Sequence, residues 1–73
     1  MAIYTEKVDS SFISEASLDT KKRRMTVKFK RDGSTWVYFR VTKVTFSAFL
    51  TAESKGRFLN DEIKMKHRQI QVF

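Results

Sequence analysis

Residues 25–41 constrain this chain more than any other stretch. Met25, Val27 and Phe29 alternate strictly with Thr26, Lys28 and Lys30, the period-two signature of a strand with one buried face. Asp32-Gly33 follows, a dipeptide favoured in two-residue hairpin turns. Beyond it, residues 34–41 (Ser-Thr-Trp-Val-Tyr-Phe-Arg-Val) are rich in β-branched and aromatic side chains, which suit a pleated, packed surface. This second strand is apolar on both sides, with Trp36 and Tyr38 pointing one way and Val37 and Phe39 the other. If Asp32 and Gly33 are the turn, Phe29 opposes Trp36, Val27 opposes Tyr38, Lys28 opposes Val37 and Thr26 opposes Phe39. Met25, Val27, Phe29, Trp36 and Tyr38 then form the core face. Thr26, Lys28, Lys30, Thr35, Val37 and Phe39 form the other. A three-residue loop would exchange the two faces, so the outcome hinges on turn length.

The flanking segments extend this hairpin into a small domain. Residues 11–18 read as a preceding strand, with Phe12, Ala16 and Leu18 on one parity and Ile13 off it, which allows a bulge near Ser14 and Glu15. Asp19 opens a turn that carries Lys21, Lys22, Arg23 and Arg24. In residues 42–52, Phe46, Phe49 and Leu50 make a helical stripe with Val44 and Ala48 beside it, and Thr42 is the expected N-cap. Gly56 is expected to end this helix or start the next turn. Phe58, Leu59 and Ile63 then return to the core in a short helical turn. Ile3, Tyr4 and Val8 offer a short additional strand. Residues 64–73 are either a mobile basic tail or, through Ile70 and Val72, a strand that pairs with a sheet edge of this molecule or of a second copy. The expected fold is α+β: a small antiparallel meander of three or four strands, one main helix packed on one face, and a short second helical turn.

With 73 residues the chain makes one domain, and a chain this short buries only about 60% of its unfolded surface. It has no cysteine, so disulfides and thiolate chemistry are excluded, and its single histidine leaves no basis for a structural zinc site. No apolar run approaches the roughly 18 residues of a membrane span, and residues 1–7 carry no apolar signal segment, which points to the cytoplasm. Fifteen Lys and Arg against eight Asp and Glu give a net charge of +7, which favours polyanionic partners.

No catalytic constellation emerges. Two glycines cannot build a phosphate loop. Asp61 and Glu62 are adjacent and diverge on a helix, as do Ser54 and Lys55, and His67 in its basic run reads as a surface residue. No cofactor is expected, and the chain reads as non-enzymatic.

Several motifs occur in an order that resembles the KTSC domain, a small module named for the C-terminus of some lysyl-tRNA synthetases. Ser11, Ile13 and Ala16 stand in its opening strand, and Leu18-Asp19 stands where the family prefers Tyr-Asp. Met25-x-Val27-x-Phe29 and Gly33 follow its hairpin, and Trp36-Val37-Tyr38 stands at its central Tyr-x-Tyr. Val41 occupies the position that usually precedes a Pro. Ala52-x-Ser54-x-Gly56-x-Phe58-Leu59-Asn60-x-x-Ile63 is the most specific match. The resemblance covers residues 10–63. Trp36 replaces the first Tyr and Thr42 the Pro, so only Tyr38 supplies a hydroxyl from the central motif. The resemblance implies a stand-alone copy of bacterial or phage origin, and RNA binding has been suggested for such modules.

The leading expectation is therefore a nucleic-acid-binding module for single-stranded RNA or DNA. Basic side chains track phosphates, and an aromatic offers a stacking surface. The residues expected to carry it are Lys21, Lys22, Arg23, Arg24, Lys28, Lys30, Phe39 and Arg40. The alternative is a protein-interaction or inhibitor module that uses the same face against an acidic protein. A homodimer through the C-terminal strand is compatible with either.

Overall fold

The computed structural model describes residues 3–7 and 13–73. Strands β1 (Ile3–Lys7), β2 (Ile13–Asp19), β3 (Arg24–Phe29), β4 (Thr35–Phe39) and β5 (Gln69–Gln71) form one sheet in chain order. Every neighbouring pair is antiparallel. Helix α1 (Lys43–Thr51), helix α2 (Lys55–Phe58) and a π-helical segment (Leu59–Lys64) connect β4 to β5. The α+β meander with one main helix and a short second helical segment is thus the fold observed. Both terminal segments that offered extra strands join the sheet, which brings it to five strands.

The hairpin loop is two residues longer than the Asp32-Gly33 turn implied. Val27 faces Trp36, Met25 faces Tyr38 and Lys28 faces Thr35, and the Phe29 amide donates to the Ser34 carbonyl at 2.9 Å. Residues 30–33 are therefore the loop. A two-residue type I′ turn needs positive φ at both central residues. Only Gly33 has it here, with φ 70°, while the Asp32 carboxylate accepts the Ser34 amide at 3.0 Å. Because side chains alternate with period two, a shift of two residues changes partners and keeps faces. Phe39 accordingly lies opposite Arg24 rather than Thr26, still on the side away from the helices.

A register shift between Ile13 and Glu15 is the expected bulge, and it returns Ile13 to the core with no exposed surface. Phe12 and Val8 lie outside the described residues. The core joins Ile13, Ala16, Leu18, Met25, Val27 and Tyr38 from the sheet to Phe46, Phe49, Leu59 and Ile63 from the helical layer. Phe49 anchors that layer, with its ring centroid 6.4 Å from Phe46 and 6.3 Å from Phe58. Phe29 and Trp36, expected in the core, pack on its edge and stay half-buried. Thr42 caps α1 by accepting the Thr45 amide through its hydroxyl. Val44, expected beside the stripe, is 80% exposed. Gly56 does not end α1, which stops at Thr51; it is buried within α2.

Candidate nucleic-acid interface

At one end of the sheet three pieces of chain meet: the loop into β3, the end of β4 and the approach to β5. Asp19 shapes the first by accepting the Lys21 and Lys22 amides at 3.1 and 3.2 Å, an arrangement typical of Asp at a turn. Arg23 then takes a left-handed φ of 56° and Arg40, at the end of β4, one of 60°. Left-handed backbone costs a non-glycine residue roughly 1–2 kcal/mol. The two turns are tied together, because the Val41 amide donates to the Arg23 carbonyl at 2.9 Å.

Phe39 sits at the centre of this end. Its amide donates to the Arg68 carbonyl at 2.9 Å, and its own carbonyl lies 2.8 Å from His67 Nδ1. A carbonyl can only accept, so Nδ1 carries the proton of that bond and Nε2 remains as the second polar atom of the ring. The guanidinium of Arg24 stands over the Phe39 ring, 5.5 Å from its centroid. At that distance a cation is attracted to the ring face. Lys22, Arg24 and Arg40 on one side and Lys66, His67 and Arg68 on the other line a cleft around the half-buried Phe39. Lys66 is also held by Glu62 at 2.7 Å, but both side chains are about half exposed, so water screens the pair.

The cleft opens onto the outer face of the sheet. There Thr26, Val37 and Ile70 form a row across β3, β4 and β5. Val72 joins them, and Asp19, Lys22 and Arg24 border the depression. Ile70 and Val72 are 48% and 52% exposed, so this face is an apolar floor with a basic rim.

The structure divides the residues expected to bind. Lys22, Arg24, Phe39 and Arg40 are brought together in the cleft. Lys21 and Arg23 are exposed in the adjoining loop but do not line it. Lys28 is four residues along β3 from Arg24, about 13 Å at the usual strand rise, and faces Glu15 on β2. Lys30 lies farther off, in the hairpin loop. Lys66, His67 and Arg68 were not among the expected binding residues. Their position follows from β5 pairing with β4, which sets Arg68 beside Phe39. The signal was the basic run directly before the alternating Gln69 to Phe73, which also reads as a tail.

Among the described residues no three His, Cys, Asp or Glu side chains cluster to hold a metal ion. No helix there is long and apolar enough to cross a membrane. Residues 9–67 match the KTSC domain. A protein of Tsukamurella paurometabola is 34% identical over 67 residues, which cover 92% of this chain and 98% of that one. The crystal structure of a KTSC domain protein from Yersinia pestis superposes with a TM-score of 0.87 at 30% identity, covering 99% of this chain and all of the other.

Proposed function

The chain belongs to the KTSC domain family, and from that premise we propose that it is a non-enzymatic module binding single-stranded RNA or DNA, acting in the cytoplasm. The observation that carries this reading is the cleft around Phe39, where five Lys and Arg side chains and one His surround a single aromatic ring. Cations arranged in this way track a phosphate backbone, and the ring stacks on a base. The apolar row of Val37 and Ile70 extends the platform. A strand laid across it exposes bases that a duplex would hide.

Binding of labelled single-stranded RNA and DNA, followed by fluorescence anisotropy at low and physiological salt, tests this. Contacts to several phosphates require a steep fall in affinity as salt rises. No binding at low salt rejects the reading. The exposed Ile70 and Val72 beside Arg24 favour a second one, an acidic protein segment with apolar anchors. Affinity capture after nuclease treatment separates the two, since a stoichiometric protein partner survives nuclease. In either case β5 pairs with β4 of its own chain, and a second copy would have to add at the other edge of β5. Light scattering reads that directly.

A further inference from the structure

A second concavity lies on the opposite side of the sheet from Phe39. It is a groove of about 260 Å³ between β4 and the π-helical segment. Phe29, Trp36 and Tyr38 supply aromatic walls, and Leu59 closes them from the helical side. Phe29 and Trp36 are only half-buried because this groove is open beside them. Asn60, Lys64 and Gln69 also line it, and the last two bear on what it could hold. The Oε1 atom of Gln69 is buried with no hydrogen-bond partner among the described residues. Lys64 is exposed and makes no ion pair with a described residue.

We propose that this groove binds a single nucleobase with its attached phosphate. The argument combines size, chemistry and charge. The volume is just below the range for drug-sized ligands and suits one planar ring system. Aromatic walls favour a flat partner through stacking. A buried acceptor without a donor is costly, and a base that offers an N–H to Gln69 Oε1 after a small side-chain rotation removes that cost. Lys64 at the rim then meets the phosphate. Apolar rings alone leave Gln69 and Lys64 unused, and a phosphate alone leaves the aromatic walls unused.

The base can come from a free nucleotide or from an unstacked position in a bound strand. The strand source rests on the function proposed above; the free-nucleotide source does not. Trp36 is the only tryptophan in the chain, so its fluorescence reports on the groove and not on the Phe39 cleft. Titration with adenosine 5′-monophosphate and with a single-stranded oligoadenylate is expected to quench Trp36 saturably, and ribose 5-phosphate is not. Quenching by both adenine probes indicates either source, and quenching by the oligonucleotide alone indicates the strand. Lys64→Glu is expected to weaken the quenching interaction about tenfold and Gln69→Leu about fivefold. Lys64 is exposed, so its variant folds whether or not the groove binds anything. Absence of saturable quenching by either adenine probe overturns the proposal, as does equal quenching by ribose 5-phosphate. If Arg24→Glu weakens oligonucleotide binding while Lys64→Glu and Gln69→Leu leave the Trp36 response unchanged, the groove proposal fails and the cleft reading stands.

Discussion

The two ends of the β3–β4 hairpin are both basic, but they are built differently. At the tip, residues 30–33 form a loop closed within itself by Gly33 and by the Asp32 carboxylate on the Ser34 amide. Lys28 nearby faces an acid, Glu15, on the next strand. At the other end, side chains from three separate segments converge on Phe39, and main-chain bonds from Val41 to Arg23 and from Phe39 to Arg68 hold those segments together. The contrast separates charge that is dense along the chain from charge that the fold gathers from distant segments. What sets the Phe39 end apart is convergence around a partly accessible ring.

The largest effect should come from charge reversal. Arg24→Glu with Arg68→Glu is expected to lower single-stranded RNA affinity by about a hundredfold at low salt and to flatten the salt dependence. Lys28→Glu with Lys30→Glu at the tip should change it less than about threefold. Comparable losses at both ends would dissolve the distinction. Next comes Phe39→Ala, expected to cost roughly 1–3 kcal/mol of binding if the ring stacks on a base. Circular dichroism would confirm that the variant is folded. His67→Ala removes the bond to the Phe39 carbonyl and should lower stability by about 1 kcal/mol in urea unfolding. Gly33→Ala at the tip should cost a similar amount through its positive φ and leave RNA affinity unchanged.

The smallest effect concerns acid. Hydrogen bonds from the Ser34 side chain and amide hold the Asp32 carboxyl below its usual value of 3.8. A depressed carboxyl contributes stability that is fully present above the unfolded value and is lost as pH falls through the folded one. Asp32→Asn should therefore narrow its stability difference from the parent protein below about pH 4, and binding at neutral pH should not change. A stability difference that persists unchanged at pH 2 would remove the carboxylate from the explanation.

The sequence was legible where period and parity decide, and obscure where chain closure decides. Face assignment of Trp36, Tyr38, Val37 and Phe39 survived a wrong loop length because the error was an even number of residues. The break in parity at Ile13 marks the bulge, though not that Ile13 itself is the core residue, and the Thr42 cap marks the start of α1. Loop length itself was misread because Asp32 uses its side chain on the Ser34 amide instead of adopting positive φ. The candidate site was half visible. Lys22, Arg24 and Arg40 are neighbours of Phe39 through the hairpin, which local pattern reveals. Lys66, His67 and Arg68 arrive only by way of β5, after two helical elements, and no local pattern fixes that pairing.

Arg23 and Arg40 lead to a last consequence. Both hold backbone angles that asparagine or glycine adopts more readily. Selection for melting temperature alone should favour Arg23→Asn and Arg40→Asn, the second removing a positive charge from the cleft and the first one from the loop that adjoins it. If the cleft holds a polyanion as proposed, a heat-adapted variant made this way would gain robustness by discarding part of that capacity. These two positions would then be where thermal hardiness and the proposed ligand capture compete for the same residue.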